Sequence, residues 1–472
     1  MAYGRSGFAQ APWSGTDLPA PDIGDLPPPI PGDAATFAYS AQLGAYPWAY
    51  GAWAGGFPLS AYPGGGVLAH PDDDTGIVTV SAWWPDATTL QVVRITPDGV
   101  RTPVRGGYPL IVTTATRRNA VTNPSIEVGT NGFVPDAGTP TLSQLADASA
   151  PAGSSVLRAQ VAGSGSNGVT VPTSLTVVPP AGGTVTVGFS LRTNTLASSV
   201  TVSIGWTDIG GGALSASSAT LTADQRSASL GQFTRHVVTV SPPTGAVTPT
   251  LKITCGGMLA GGQMDLDAIT FEVGTTDGSF FDGGTLGGLW LGTTGLSGSL
   301  LSPVQTILDA ECPLDTIVRY QVSYPGITGG RVVSDPVTLN SDGQTWLSHP
   351  LLIGQPVKVE LARVPVLERA VEQGIFLPIG ASRPKVVSSA RRQAPTGTLD
   401  FVTLSFAERD ALLALMDQPM PLLLRLPVDF GYPAPMWLAI GLVTEDRGDF
   451  KAWQENVTIS AEVTEVDVPP VL

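Results

Sequence analysis

Charge is what this sequence has least of. Only 13% of its 472 residues are Asp, Glu, Lys or Arg, and these are unbalanced, 24 basic against 39 acidic, for a net charge of −15. Phosphate backbones are held by basic surface, so a general nucleic-acid role is excluded, and docking on an anionic membrane is disfavoured for the same reason. Cysteine is nearly absent. Cys255 and Cys312 lie far apart and make no disulfide framework; they read as small buried hydrophobes. The three histidines, His70, His236 and His349, are isolated, and none stands at a zinc-ligand spacing. No run of about 18 apolar residues is present, so no membrane-spanning helix is expected. The opening Met1-Ala2-Tyr3-Gly4-Arg5 lacks the apolar core of a secretion signal. The expectation is that, if the protein works outside a cell, it leaves by lysis or inside a particle.

Catalytic signatures are missing too. No Gly-x-Ser-x-Gly elbow lies between a strand and a helix, and no phosphate loop or dinucleotide fingerprint occurs in a β-α context. The string Gly163-Ser164-Gly165-Ser166-Asn167-Gly168 reads as low-complexity turn, and Asp72-Asp73-Asp74 as a solvated linker. Paired acids occur as in any protein, so a glycan hydrolase with an accessory binding module stays open as an alternative. The expectation is a protein that is not an enzyme.

What the chain does have is Gly (56), Pro (42) and many short apolar runs. Gly and Pro punctuate while Val and Thr pack on pleated surfaces, so the fold class is mainly β, as modular sandwiches. Residues 1–74 form an extended arm rich in Gly, Pro and aromatic rings, suited to lying on a partner. Strands begin at Ile77 and run through Leu90–Ile95 to about residue 118. Too few strands for a sandwich lie there, and the missing ones come much later, at Thr316–Tyr324 and Arg331–Val337. Residues 75–118 and 304–340 are therefore one sandwich interrupted by an insertion, 119–303. The insertion has its own regular short strands without helices, the pattern of a jelly roll. Residues 341–472 form a C-terminal β-rich domain with one helix at Ala407–Asp417. Leu412, Leu415 and Met416 lie on one face of that helix, Ser405 is at its N-cap with Glu408 three residues on, and Pro419 stops it.

Several local motifs carry resemblances. The tyrosine-rich strand Thr316–Tyr324, followed by a Gly329-Gly330 turn and a final strand, resembles a fibronectin type III domain. Asn123-Pro124-Ser125-Ile126-Glu127 with Gly132-Phe133, and Asp265-Leu266-Asp267-Ala268-Ile269-Thr270-Phe271-Glu272, resemble the opening and closing motifs of jelly-roll carbohydrate-binding modules. That resemblance implies a structural Ca²⁺ held by Glu127 and Asp267. Phe280-Phe281-Asp282-Gly283-Gly284 followed by Trp290-Leu291-Gly292 is similar to a segment of minor tail proteins of siphophages infecting actinobacteria. Trp346-Leu347-Ser348-His349-Pro350 and Phe376-Leu377-Pro378-Ile379-Gly380 add to that likeness. Together these imply a structural minor tail protein of a tail tip or baseplate, located in the virion. Its partners would be other tail-tip proteins and further copies of itself, as a trimer or hexamer. The jelly roll would contribute attachment to a cell-wall glycan of the host. The alternative is a purely structural tail component with the jelly roll as spacer.

An independent argument bears on Asp267. Residues two apart in a strand share a face, which sets Asp267 with Ile269 and Phe271, and a carboxylate on an apolar face needs a partner or a cation. For a sugar, the strand aromatics Phe189 and Trp206 lie in phase with apolar neighbours and read as core. Trp290 and Phe133 are the candidate rings for stacking, with Arg192, Arg235 and His236 as hydrogen-bonding partners. Trp290 also reads as a packing anchor between insertion and sandwich.

Overall fold

The computed structural model describes residues 64–469 apart from 175–182, 326–329, 372, 380–381, 389–392, 420, 433–434 and 447–456. The protein is mainly β. Most of the arm expected over 1–74 lies outside the described residues, but its last part belongs to the first domain. Gly66–Asp72 is a strand paired from Gly66↔Trp83 to Asp72↔Ile77 with Ile77–Trp83. Its glycines hide it from a pattern search, and the structure shows why they are there. A Cβ on Gly65 would lie 2.2 Å from the Trp84 ring, and one on Gly66 2.1 Å from the Trp83 ring. The Asp72-Asp73-Asp74 cluster is accordingly the hairpin turn and not a linker. Asp72 accepts the backbone N–H groups of Asp74 and Thr75, and Asp73 accepts the backbone N–H of Asn340 at 2.8 Å and its side-chain amide at 2.9 Å.

The first domain is two sheets assembled across the insertion. One joins Gly66–Asp72, Ile77–Trp83 and Gln305–Asp309, in that order. The other is centred on Thr89–Ile95 and Ile317–Ser323, paired antiparallel from Ser323↔Gln91 to Arg319↔Ile95. Val78, Val80, Leu90, Val92, Tyr320 and Val322 fill the space between them. The interior also holds a charged pair. Arg94 donates to both oxygens of Asp309, at 2.8 and 2.6 Å, and the Tyr320 hydroxyl donates to Asp309 at 2.9 Å.

The insertion leaves and returns through a small three-stranded sheet in which Ser299–Leu301 pairs with both Gly288–Trp290 and Arg117–Asn119. Between these lie two five-stranded sheets facing each other. The first runs Ala213–Thr220, Ser199–Thr207, Thr248–Met258, Gly165–Val171, Val134–Pro135. The second runs Thr234–Val240, Val185–Thr193, Gln263–Val273, Ser155–Gln160, Thr141–Ala146. Val187, Phe189, Leu191, Ile204, Trp206, Ile253 and Phe271 are buried between them, so Phe189 and Trp206 are core residues. Two expectations fail here. The Gly163–Gly168 string is not simply turn, because Gly165–Val171 is a central strand, held partly by the Asn167 side chain on the Ala159 carbonyl at 2.8 Å. The insertion also contains a short helix, α1 (Ala223–Ala228), with a complete capping box between Thr222 and Gln225.

In the C-terminal domain, strands Val357–Leu361, Thr345–Ser348, Leu422–Arg425, Met436–Asp446, Val457–Glu465 and Thr396–Thr403 neighbour one another in that order. The last pairs back with the first at Glu360↔Val402, so the sheet closes into a barrel. Helix α2 (Phe406–Met416) buries Leu412, Leu415 and Met416 in that core. The Ser405 hydroxyl accepts the Glu408 N–H at 3.2 Å, while the Glu408 carboxylate reaches the Leu404 N–H at 2.7 Å, one residue beyond a reciprocal box. Sandwich and barrel meet through polar contacts. The buried Arg425 donates to the Cys312 carbonyl at 3.2 Å, and Arg105 binds Glu311 at 2.6 Å and the Pro469 carbonyl at 3.3 Å. Cys255 and Cys312 are both buried thiols, in different domains, and burial pushes each up to about 12.

Candidate functional site

The outward face of the second jelly-roll sheet carries one polar row across its strands. Val185, Val187, Phe189 and Leu191 point into the core, so Thr186, Ser190 and Arg192 point out. Register then sets Arg192 opposite Asp265, Asp265 opposite Arg158, and Arg158 opposite Ser143. The guanidinium of Arg158 binds Asp265 at 2.7 and 2.9 Å, and Arg192 binds the same carboxylate at 2.7 Å. Arg192 also pairs with Asp147 and donates to Ser149 at 3.1 Å. At the far end, the Arg192 guanidinium lies 4.4 Å from the centre of the half-buried Phe233 ring. Asp147 is held at about 2 by the Ser149 hydroxyl and backbone N–H, and then by Arg192. Asp147, Arg158 and Arg192 are therefore charged near neutral pH, and ion pairs fix the row. It offers donors and acceptors in a rigid line beside an aromatic ring, with both of its carboxylates paired to arginine.

Of the residues expected to bind a sugar, only Arg192 belongs to this row. Trp290 and Phe133 are buried and present no ring to a ligand. Trp290 lies over Gly283, where a Cβ would come within 2.3 Å of the indole. Gly132 holds the turn before Phe133 at φ +82°, against Pro172. His236 is buried as well. It alternates inward with Val238 and Val240, its ring sits 5.6 Å from Phe189, and its Nε2 is 2.6 Å from the Ser229 hydroxyl. Arg235 points outward, but its guanidinium is spent on the carbonyls of Ala268 and Gly278 and on the Thr270 hydroxyl. Burial brings it down to about 10. It holds the chain after the last roll strand against the sheet. Phe233, just before a strand and out of phase with it, carried no signal that sequence reasoning could use.

The residues expected to hold a metal are brought together, though not in the expected way. Asp267 does not share a face with Ile269 and Phe271. Ala268 is an extra residue at φ +52°, and the pairing with Val185–Thr193 shifts there. This β-bulge turns Asp267 to the outer side with Asp265 while Ile269 and Phe271 stay in the core. Asp267 is nevertheless fully buried, covered by residues 152–155. That loop binds both carboxylates. Asp267 accepts the Ala152 N–H at 2.8 Å, and Glu127 accepts the N–H groups of Ser154 and Ser155 at 2.8 Å each. Gly153 is obligatory between them, because its Cβ would meet the Glu127 carboxylate at 2.4 Å and its φ is +70°. Burial, and in lesser part the charge of Glu127, raises Asp267 to about 7. Two acids sharing one loop, one of them deeply desolvated, is an arrangement that a hard cation would relieve. Among the described residues no group of three or more His, Cys, Asp or Glu side chains converges, so a cation here would take its other ligands from backbone carbonyls and water.

The chain matches no protein-family model and no curated protein. Among solved structures, it is similar to a family 16 carbohydrate-binding module, at 16% identity over 32% of this chain and 99% of that one, with a TM-score of 0.24. It is similar at 17% identity to the module TmCBM61, solved in complex with beta-1,4-galactotriose, over 33% of this chain and 97% of that one, with a TM-score of 0.24. A third likeness, at 17% identity and a TM-score of 0.27, is to the enzymatically active domain of tailspike protein 4 of bacteriophage CBA120. It covers 33% of this chain and only 21% of that one. At these identities and scores the likenesses carry no argument about activity, and the site must be judged on its own geometry.

Proposed function

We propose that this chain is a structural protein of a bacteriophage tail that carries a glycan-binding jelly roll, and that it performs no catalysis itself. The observation that carries the reading is the Ser143–Arg158–Asp265–Arg192–Phe233 row. A sugar presents hydroxyls that pair with fixed charged donors and acceptors, and an apolar ring face that stacks on an aromatic. The row supplies both on a face whose acids are committed to arginine, which suits binding rather than hydrolysis. The domain plan supports the structural half. The roll stands on a small three-stranded sheet at the end of a sandwich that is itself fastened to a barrel, a scaffold that holds out one module. Glu127 and Asp267 would hold a Ca²⁺ that fixes the 152–155 loop beside the row.

The test is binding of the labelled full-length chain to purified cell walls of actinobacterial hosts, with soluble wall polysaccharide as competitor. Saturable, competable binding is expected, weakened about tenfold or more in Arg192→Ala and Phe233→Ala, since one ring or one charge-assisted contact is worth roughly that factor. A folded chain that binds no wall fraction would leave the roll as a spacer.

A further inference from the structure

The barrel carries a feature that its own core does not explain. Before the strand Thr396–Thr403 the chain makes a hairpin, Gln373–Phe376 against Lys385–Ser388, paired Gln373↔Ser388 through Phe376↔Lys385. These strands pair with no others among the described residues. Successive residues in a strand face opposite ways, yet Ile375 (67%) and Phe376 (49%) are both exposed, as are Val386 (55%) and Val387 (61%). Both faces are apolar and bare, and Leu377 (62%) continues the patch. A lone two-stranded hairpin is marginal in water, and open edges with apolar rows mark surfaces meant to be covered.

Charge identifies what covers it. The hairpin, residues 373–388, carries two basic side chains, Arg383 and Lys385, and no acidic one, in a chain of net −15. The opposite balance lies in the strand Met436–Asp446, which carries no basic residue and ends on two exposed acids, Glu445 and Asp446. There the exposed Leu442 (65%) stands beside exposed Glu445 and Asp446, an apolar contact rimmed by acid. Register separates the two surfaces. The hairpin leads into Thr396, which pairs with Thr464, whereas Glu445 and Asp446 pair with Ile459 and Thr458, toward the opposite end of the barrel strands.

We propose that the hairpin docks on the acidic end of the strand Met436–Asp446 of a second copy of this chain. The contact is head-to-tail, so each copy uses one surface of each kind, and repetition about an axis gives a ring where the rotation between copies closes. This supplies the self-contact that the tail reading calls for, and it does not depend on glycan binding.

Sedimentation velocity of the full chain at low and high salt tests it. The wild type is expected to sediment as a closed oligomer at low salt and to dissociate partly as salt screens the contact. Arg383→Glu with Lys385→Glu should sediment as monomer, as should Glu445→Lys with Asp446→Lys, and the fourfold combination should restore the oligomer. Ile375→Ser with Val387→Ser should be monomeric with an unchanged melting temperature, showing that the fold survives. A wild type that is monomeric throughout, an oligomer that survives the hairpin changes, or a folded fourfold variant that stays monomeric overturns the proposal. So does a monomeric wild type that floats with anionic phosphatidylglycerol vesicles, which would make the hairpin a membrane-inserting element. One-to-one binding of a soluble wall fragment should be the same in every variant, which separates failure of this contact from failure of the glycan site.

Discussion

At the scale of single residues, two buried ionisable groups in the roll have opposite histories. Burial, assisted by Glu127, raises the Asp267 carboxyl to about 7, so without a cation the folded chain disfavours its ionised form at neutral pH. Asp267→Asn should therefore melt higher than wild type in chelator at neutral pH. Adding Ca²⁺ should raise the wild-type melting temperature, as any ligand of the native state does, and leave the variant unmoved. Equal response of both to Ca²⁺ would remove Asp267 from the site. His236 behaves the other way round. Burial, and then the charge of Arg235, lowers its pKa below the ordinary value near 6.5. The unfolded chain thus takes up a proton more readily than the folded one. The contribution of His236 is complete above that value and is lost as pH falls through and below it. Comparing melting temperature against pH for wild type and His236→Gln should show a shallower acid-side loss in the variant. Parallel curves would mean the ring titrates as if exposed.

At the scale of elements, the motif Phe281-Asp282-Gly283-Gly284 with Trp290 works as a clasp. The Asn119 side chain donates to the Ile269 carbonyl at 3.0 Å and accepts the Phe271 N–H at 2.9 Å, tying the entering strand to the last strand of the roll. Arg117 grips Glu272 at 2.6 Å and stacks on the buried Phe281, and Asp282 folds the turn by accepting the Gly284 N–H at 2.8 Å. The Trp290 ring then lies on Gly283. Gly283→Ala should cost about 1–3 kcal/mol by forcing the indole out of place, read as a lower denaturation midpoint with intact secondary structure. An unchanged midpoint would show that the ring has room to move. What could be read in the sequence here followed from period and chemistry. The alternation of Ile317–Ser323 and of Ser199–Thr207, the capped helix α2 and the core positions of Phe189 and Trp206 all declare themselves locally. What could not be read depended on partners far away in the chain. Gly66–Asp72 lacks strand character because Trp83 and Trp84 need glycine beneath them. Asp267 faces outward because of one bulge residue, and a period-two count cannot see an insertion. Trp290 and Phe133 look like sugar platforms by type alone, and only tertiary packing shows both rings covered. The row on the roll face was half visible: Arg192 stood out, but Asp265 and Arg158 are recognised only once register lines them up.

At the scale of the whole molecule, the roll is an attachment to a scaffold rather than part of it. The sandwich makes its two sheets from strands on either side of the insertion, at Thr89–Ile95 with Ile317–Ser323 and at Ile77–Trp83 with Gln305–Asp309. Its core and that of the roll are separate sets of residues. The sandwich and barrel, by contrast, share buried contacts from Arg425 and Arg105, so they should unfold together. Entry and exit of the insertion are adjacent, because Asn119 lies opposite Ser299 in an antiparallel pair, where Cα atoms stand about 4.5–5.5 Å apart. A turn of two or three residues spans that gap, and closing a shorter loop costs less entropy. Replacing residues 120–298 with a glycine-rich turn should therefore leave a folded sandwich and barrel that melt in one transition, with the self-association of the hairpin intact. Binding to cell walls and the response to Ca²⁺ should both disappear. If instead the excised chain fails to fold, the clasp at Asn119, Phe281 and Trp290 is part of the scaffold, and the roll stabilises the sandwich that carries it. If it folds and still binds cell walls, the glycan site lies on the sandwich or the barrel, and the polar row of the roll is only its solvated face.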